Sequence, residues 1–201
     1  ATDSTSYTIE RDVEDVEKIR KRLGFEKINI LGQSFGSVIA QLYTIKYEPH
    51  VEHLIIANGF YSGRMFQDGL DNMNQIFANG SIEWDLLYYY DTANKKKKYQ
   101  YPKYPNDWNY EVYYQFLGRD ADSIVNKDFL EVDLTKQLQN LKIPILFLAS
   151  KYDRICLPEY SLKFKDYCPH ASFVMLDQSG HFPEVEQPEK VFAAINEFLR
   201  K

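Results

Sequence analysis

The sequence predicts an α/β fold in which a mostly parallel sheet is flanked by helices. Apolar runs of strand length alternate along the chain with segments in which apolar residues recur every three or four positions. The strand-like runs are continuously apolar, which is typical of parallel strands covered on both faces. A strand, a helix and a second strand follow one another near the start, the order of a parallel unit. The 201 residues, 44% of them hydrophobic, are enough for one substantial core.

The first elements in chain order are a helix, a strand and a second helix. Residues 8–23 have acidic residues early, basic residues late and Gly24 at the end, the pattern of an amphipathic helix with a glycine stop. Residues 25–31 predict a strand, and residues 37–47 predict the second helix, which ends before Pro49. The apolar positions of the first helix are Ile9, Val13, Val16, Ile19 and Leu23.

Three further strands and three helices are expected in the rest of the chain, apart from its middle part. Residues 53–58 are a continuous apolar run of strand length, and residues 143–149 and 172–176 have the same character. One helix begins at residues 133–135 and ends before Lys142, another is predicted over residues 158–167, and the closing helix starts near Pro188. The closing helix is expected to bury Val191, Phe192, Ile195, Phe198 and Leu199.

The pattern changes in the middle of the chain and divides it into three parts. Residues 1–60 and 133–201 are expected to form the sheet-bearing core. Residues 61–132 are rich in Tyr, Asn and Asp and lack strand alternation, so we interpret them as a helical cap inserted into the core. Short helices are expected within it at residues 86–90 and 110–117. The aromatic residues of this part either form its own small core or face a ligand. The four lysines at residues 95–98 are interpreted as a solvated loop.

Charge and composition narrow the range of partners. The formal net charge of −5 argues against nucleic acids and anionic membranes, which both select a basic surface. No apolar run approaches the length of about 20 residues that spans a bilayer, so no membrane partner is expected. The two cysteines provide no disulfide framework and favour a cytoplasmic setting. No spacing of histidines and cysteines suggests a metal site, and no cofactor is expected.

The segment Gly-Gln-Ser-Phe-Gly at residues 32–36 has the pattern of a nucleophile elbow. A strand that turns at once into a helix forces its middle residue, Ser34, into a strained backbone conformation and leaves its hydroxyl exposed above the sheet edge. Gly32 and Gly36 are expected to let the strand and the helix pass closely. The sequence therefore predicts Ser34 as a nucleophile.

A serine hydroxyl is a poor nucleophile until a base takes its proton, and the base needs an acid to orient it. Asp153 follows the strand predicted at residues 143–149, so it is expected at the same sheet edge as Ser34. His181 lies in a Gly-His segment between the last strand and the last helix. The sequence thus predicts Ser34 as nucleophile, Asp153 as acid and His181 as base, in that chain order.

The oxyanion formed by attack on a carbonyl group needs two hydrogen-bond donors. One is expected to be the backbone N–H of Phe35, the residue after the nucleophile. The second normally comes from a loop after an earlier strand, and only one predicted strand precedes the elbow. We therefore expect further N-terminal strands outside these 201 residues, so that an N-terminal fragment of the same protein is the expected macromolecular partner.

These motifs resemble the α/β-hydrolase superfamily and, within it, the proline iminopeptidase (prolyl aminopeptidase) branch. The elbow and the ordered acid and base are specific to the superfamily. The likeness to the branch covers nearly the whole chain and includes residues 15–20, 41–43, 133–135, 143–144, 152–153 and 156–158. The resemblance implies release of an N-terminal residue, preferably proline, from a short peptide through an acyl-enzyme on Ser34.

The resemblance also implies that acidic side chains hold the substrate's free amino group, and Asp122 matches the region of one such carboxylate. Glu83 and Glu111 are weaker candidates. The chain departs from the pattern at Arg154, where some members have a glutamate, and at Ser37, where members often have glycine. A carboxylesterase, lactonase or amidase that acts on a small neutral acyl compound is therefore the alternative, because Arg154 would repel an ammonium group. A non-catalytic hydrolase-fold protein that binds a ligand is a second alternative.

Overall fold

The structure is a computed structural model that describes residues 8–80, 85–97 and 127–200. Its helices and strands in chain order are α1 (Ile9–Arg22), β1 (Ile28–Ser34), α2 (Gly36–Tyr47), β2 (Val51–Gly59), α3 (Gly63–Ala78), α4 (Asp85–Tyr88), α5 (Lys127–Leu130), α6 (Thr135–Asn140), β3 (Ile145–Ser150), α7 (Pro158–Tyr167), β4 (Ser172–Leu176), α8 (Pro183–Glu186) and α9 (Pro188–Phe198). Short 3₁₀ turns cover Glu48–His50 and Thr92–Lys97.

The four strands form one sheet in the order β1-β2-β3-β4, and all three neighbouring pairs are parallel. In the register, Ile30 lies opposite Leu54, and Leu54 lies opposite Ile145. Leu146 lies opposite Ser172 at the start of β4. Because every strand runs in the same direction, all four carboxyl ends meet at one edge of the sheet. The parallel sheet flanked by helices is therefore confirmed.

The core lies on both faces of the two central strands. Leu54 and Ile56 of β2 pack in a cluster with Val38 of α2 and Phe164 of α7. The alternate residues of β2 and β3 pack on the opposite face with Val191 of α9 and its neighbours. Helices on both faces explain why these strands read as continuous apolar runs.

Two helices expose apolar residues that the sequence pattern places in the core. Ile19 of α1 and Leu23, directly after α1, are 58% and 62% exposed, and Phe192 of α9 is 62% exposed. In α1 the inward stripe contains Glu17 and Arg20, which are buried and bonded to each other, so Ile19 and Leu23 lie to one side. In α9 the inward-facing residues are Val191 and Phe198. Phe192 follows Val191 directly and therefore points to a different side of the helix, towards solvent. The expected burial of Phe192 was therefore wrong.

The first strand begins later than the sequence pattern indicates. It starts at Ile28 rather than at residue 25. The guanidinium of Arg20 donates hydrogen bonds to the carbonyl oxygens of Phe25 and Glu26, so these two residues bond to α1 instead of to a strand. The strand then continues to Ser34, which pairs with Gly59. By contrast, α7 and β4 have the expected bounds of residues 158–167 and 172–176.

The connection between β2 and β3 contains α3, α4, the Thr92–Lys97 turn, α5 and α6 among its described residues. The short helix expected after residue 85 is α4. The helix expected over residues 110–117 lies outside the described residues. In the part of the chain that the structure covers, no helix has the length and apolar character that a membrane crossing requires.

Candidate active site

The serine of the elbow stands at the junction of β1 and α2. Ser34 is the last residue of β1 and has a φ of 51°, the left-handed region that non-glycine residues seldom adopt. The helix α2 begins two residues later, at Gly36. Such strain persists only where the surrounding structure enforces it, and it is common at functional sites. The backbone expected of a nucleophile elbow is therefore present at Ser34.

One of the two elbow glycines is required by close packing. A Cβ atom on Gly32 would lie 2.5 Å from both the carbonyl oxygen of Gly36 and the Cα of Ser37. A Cβ atom on Gly36 would meet nothing within 4 Å, so the expectation that this glycine permits a close approach was wrong. The second close approach instead uses Gly59 of β2, where a Cβ atom would lie 2.5 Å from the Ser37 side chain.

The structure brings Ser34, His181 and Asp153 together in one hydrogen-bonded chain. Nε2 of His181 lies 3.0 Å from Oγ of Ser34, and Nδ1 lies 2.9 Å from Oδ2 of Asp153. Asp153 and His181 are 2% and 3% exposed. Since a carboxylate can only accept, this geometry assigns the ring proton to Nδ1 and leaves Nε2 free to accept from the serine hydroxyl.

The aspartate is held by the loop that follows β3. Its second oxygen, Oδ1, accepts the backbone N–H groups of Ile155 and Cys156, both at 2.8 Å. The strand β3 ends at Ser150, so Asp153 lies just beyond the carboxyl edge of the sheet. These two bonds orient the carboxylate so that Oδ2 faces His181.

The histidine is held by contacts between its loop and the connection between β2 and β3. The backbone N–H of His181 donates to the carbonyl oxygen of Tyr88 at 2.7 Å. The N–H of Gly180 donates to Oε2 of Glu186 at 2.6 Å. A Cβ atom on Gly180 would lie 2.6 Å from the Tyr88 carbonyl oxygen, so the loop and the end of α4 could not approach as closely with any other residue. The end of α4 thus fixes the backbone of the histidine loop.

Glu186 joins the same two regions. Its carboxylate accepts the N–H groups of Tyr90 and Asp91 at 3.1 and 2.9 Å, as well as that of Gly180. The Asn94 side chain donates to it at 3.2 Å. No motif in the sequence marks this residue, because its three partners beyond the histidine loop lie 92 to 96 positions away.

Two further polar residues, to which no sequence motif assigns a role, contact the site. Gln33, beside Ser34, donates through Nε2 to Glu184 at 3.0 Å and to the His181 carbonyl oxygen at 3.3 Å. Asn58 is buried at the carboxyl end of β2 and donates to the Gly180 carbonyl oxygen at 2.8 Å. A polar residue at the end of an apolar strand next to the elbow was the available signal for Asn58.

Aromatic rings from the connection flank the histidine. Tyr88 stacks on Phe182 with ring centroids 5.5 Å apart and an interplanar angle of 12°. The ring centroid of His181 lies 5.4 Å from that of Phe182 and 6.2 Å from that of Tyr88, in an edge-on arrangement. Tyr89, in contrast, is only 3% exposed. Of the two roles considered for these aromatics, Tyr89 has the core role, whereas Tyr88 lies beside the hydrogen-bonded chain.

The two departures from the hydrolase pattern both make specific bonds. The Arg154 guanidinium donates through Nη1 to the carbonyl oxygen of Leu86 in α4. The Ser37 hydroxyl lies 2.5 Å from the Ser34 carbonyl oxygen and accepts the N–H of Phe60 at 2.8 Å. Ser37 therefore ties the elbow to the end of β2, a bond that glycine could not make.

Of the remaining predicted site residues, the structure describes Phe35 but not the three acidic residues. Phe35 precedes the first residue of α2 and has helical dihedral angles, φ −56° and ψ −36°. Its peptide N–H belongs to the first turn at the amino end of that helix. The three acidic residues implied for amine binding, Asp122, Glu83 and Glu111, lie outside the described residues.

Three possible metal-ligand atoms lie within 4.8 Å of one another: a carboxylate oxygen of Asp153, the sulfur of Cys156 and a ring nitrogen of His181. The carboxylate oxygens are already engaged, and the Cys156 thiol donates to the Asn58 carbonyl oxygen at 2.9 Å. Burial and, to a smaller extent, the charge of Asp153 raise the pKa of the Cys156 thiol well above its usual range. A metal binds the thiolate rather than the thiol, so these residues fit a metal ion poorly.

A strained serine between a strand and a helix, joined to a histidine and an aspartate from later loops of a parallel sheet, is typical of α/β hydrolases. The chain belongs to the α/β-hydrolase fold family, whose model matches residues 1–79 and 58–188.

The chain is also similar to individual curated proteins and solved structures. Over 98% of its length the chain is 22% identical to the proline iminopeptidase of Heyndrickxia coagulans and covers 75% of that protein. Among solved structures, an α/β fold family hydrolase from Bacillus anthracis str. Sterne is 20% identical, with a TM-score of 0.75, 98% of this chain covered and 76% of the other. The proline iminopeptidase of Mycobacterium smegmatis is 19% identical, with a TM-score of 0.72, 99% of this chain covered and 73% of the other. The chain is thus shorter than these relatives.

Proposed function

We propose that the protein is a serine hydrolase that releases an N-terminal residue, preferably proline, from short peptides. The observation that carries the hydrolytic part is the hydrogen-bonded chain of Ser34, His181 and Asp153 at the carboxyl edge of the sheet. The proposed release of an N-terminal residue from peptides is supported by the relatives named proline iminopeptidase.

In the proposed reaction, Nε2 of His181 takes the hydroxyl proton while Oγ of Ser34 attacks the carbonyl carbon of the first residue. The charge that develops on the imidazole is stabilised by Asp153, whose carboxylate faces Nδ1 at 2.9 Å. His181 then gives the proton to the departing amine as the C–N bond breaks, which leaves an acyl-enzyme. A water molecule, deprotonated by the same nitrogen, attacks the ester, and the proton returns to Ser34 as the free residue leaves.

The tetrahedral intermediate of each step carries a negative oxygen that needs donors. We assign one donor to the backbone N–H of Phe35, which lies directly after the nucleophile at the amino end of α2. The positive end of the helix dipole favours the developing charge at the same place.

Hydrolysis of a small neutral ester, lactone or amide is the second candidate function, and the Arg154 side chain favours it. The guanidinium belongs to the residue directly after Asp153 and bonds to the carbonyl oxygen of Leu86 in α4. A fixed positive charge there repels a substrate ammonium group but not a neutral acyl compound.

Three substrates separate these functions. Proline 4-nitroanilide has a free amine, N-acetylproline 4-nitroanilide has the same leaving group but no charge, and 4-nitrophenyl acetate is an activated ester. We expect the free anilide to be turned over faster than the acetylated one, and Ser34→Ala to lower kcat/KM by about 10⁴-fold or more. Ser172→Ala is the matched control, because Ser172 begins β4 at the opposite end of the sheet.

Each outcome has a distinct meaning. Equal turnover of both anilides, or turnover of the ester alone, would replace the aminopeptidase by the second candidate. If Ser34→Ala changed none of the three rates, hydrolysis by this chain would be refuted and a ligand-binding role without catalysis would be favoured.

A further inference from the structure

Asn58 has an unusual backbone at the end of β2. Its φ is +41°, and among the described non-glycine residues only Ser34 shares a positive φ. The register between β1 and β2 passes from Gln33 opposite Ala57 to Ser34 opposite Gly59, so Asn58 is an extra residue on β2. It is a β-bulge beside the nucleophile.

The side chain of Asn58 bonds to two segments: the end of β3, which leads to Asp153, and the loop that carries His181. Nδ2 donates to the carbonyl oxygen of Gly180, directly before His181, at 2.8 Å. It also lies 2.9 Å from Oγ of Ser150, the last residue of β3. The Ser150 hydroxyl lies 3.1 Å from that of Ser179, which extends the network along the histidine loop.

The main chain of Asn58 reaches the acid loop as well. The Cys156 thiol donates to the Asn58 carbonyl oxygen at 2.9 Å. The backbone N–H of the same cysteine donates to Oδ1 of Asp153 at 2.8 Å. One residue, 1% exposed, thus contacts the loops on both sides of the hydrogen-bonded chain and lies next to the strand that ends at Ser34.

Glycine would adopt this φ at no steric cost, and asparagine tolerates it less well. An asparagine at a strained position is therefore explained by what its amide binds. Asn58 is the only described residue whose amide reaches both the end of β3 and the histidine loop.

We propose that Asn58 is a positioning residue that sets the distance between the acid loop and the histidine loop, so that His181 reaches Ser34 and Asp153 at once. The proposal rests on the proposed hydrolysis by Ser34 for its effect on rate. Its structural consequence, the geometry of the bond between His181 and Asp153, does not depend on catalysis.

The decisive variant is Asn58→Gly, because glycine keeps the backbone conformation and removes only the amide. We expect kcat for 4-nitrophenyl acetate to fall about 10- to 100-fold, since a displacement of about 1 Å costs about 10²-fold. KM should stay within about twofold, because substrate contacts are unchanged. Asn58→Asp, which keeps the size but loses both donors, should lose activity to a similar extent.

Thr44→Val is the matched control. Thr44 is fully buried and its hydroxyl bonds only to the Ala40 carbonyl oxygen among the described contacts, in α2 and away from His181. It should lower the thermal midpoint, because a buried hydrogen bond is lost, while kcat stays unchanged. If kcat per folded molecule were equal in the wild type and in Asn58→Gly, Asn58 would have only a structural role and the proposal would be overturned.

A spectroscopic measurement separates this proposal from the proposed function. The proton on Nδ1 of His181 should give a downfield NMR signal that disappears in Asp153→Asn. We expect the signal to broaden or move in Asn58→Gly and to stay in place in Thr44→Val. If the signal is unchanged in Asn58→Gly, the positioning role is overturned even if Ser34 proves catalytic. If the signal changes, the positioning role is supported even if Ser34 proves not to be catalytic.

Discussion

Glu17 and Arg20 form a buried ion pair in α1, where the helix pattern alone would place apolar residues. They are 3% and 7% exposed. Oε1 of Glu17 lies 2.8 Å from Nη2 of Arg20, and Oε2 lies 2.8 Å from Nε, so the contact is bidentate. The Tyr43 hydroxyl of α2 donates to the same carboxylate at 2.9 Å. Every acceptor oxygen of this buried charge thus has a partner, which is what allows α1 to pack against α2.

We expect the stability contributed by Glu17 to depend on pH. The hydrogen bonds from Arg20, more than any other contact, lower the pKa of Glu17 from 4.5 to about 2. A lowered carboxyl pKa stabilises the fold above 4.5, and this contribution is lost as the pH falls towards 2. The difference in free energy of unfolding between the wild type and Glu17→Gln should be largest near pH 7 and shrink below pH 4.5, as measured by urea denaturation at a series of pH values.

Asp15→Asn is the control for this prediction. Asp15 also pairs with a lysine of α1, but its side chain is half exposed, so the substitution should change stability little at any pH. A difference between wild type and Glu17→Gln that stayed constant from pH 7 to pH 3 would contradict the assigned role of the ion pair.

The grouping of Ser34, Asp153 and His181 could be predicted from the sequence because each follows a recognisable strand. Parallel strands bring their carboxyl ends to one edge, so residues far apart in the chain become neighbours. Asn58 could not be assigned a role in the same way, since its contacts depend on a one-residue bulge in β2. A register shift of this kind leaves no pattern in the sequence.

At the level of elements, two glycine substitutions test how closely β1 and α2 pack at the elbow. Gly32→Ala should destabilise the fold by about 1–3 kcal/mol, because its Cβ atom would lie 2.5 Å from backbone atoms that cannot turn aside. Gly36→Ala should be neutral or stabilise by up to about 1 kcal/mol, since its Cβ atom meets nothing within 4 Å and alanine restricts the unfolded chain. Urea denaturation of the two variants measures the difference.

The two substitutions have the same chemistry and lie four residues apart, so they serve as each other's control. If Gly36→Ala proved as destabilising as Gly32→Ala, the elbow would pack differently from the structure. We also expect Gly32→Ala to lower ester hydrolysis in the protein that remains folded, because any shift of α2 moves Phe35 relative to Ser34.

Elements that depend on local sequence were predicted best. The helix at residues 158–167 begins with a proline that suits a first turn, and β4 has the expected bounds. Predictions that depend on tertiary contacts were weaker. The start of β1 was misplaced by three residues because Arg20 binds the Phe25 carbonyl oxygen, and this bond is formed by a side chain of another element.

Across the whole molecule, the two edge strands of the sheet differ in the exposure of their side chains. Neither β1 nor β4 has a further strand beyond it among the described residues. The residues of β4 are buried or half-buried, whereas β1 exposes Asn29 and Leu31. Ile28 and Ile30 pack towards α2, but Leu31, on the opposite face of β1, is 51% exposed. An edge strand that exposes a leucine pairs readily with another chain.

We therefore expect the chain to self-associate through β1 as its concentration rises. Sedimentation velocity should show a growing fraction of dimers or larger species, and hydrogen exchange should be faster in β1 than in β2 for dilute protein. Leu31→Lys should reduce association, because a charge on an edge strand opposes pairing. Leu162→Lys is the matched control, since Leu162 lies in α7 and is 50% exposed. Equal association of the two variants would show that the contact between copies lies elsewhere on the molecule.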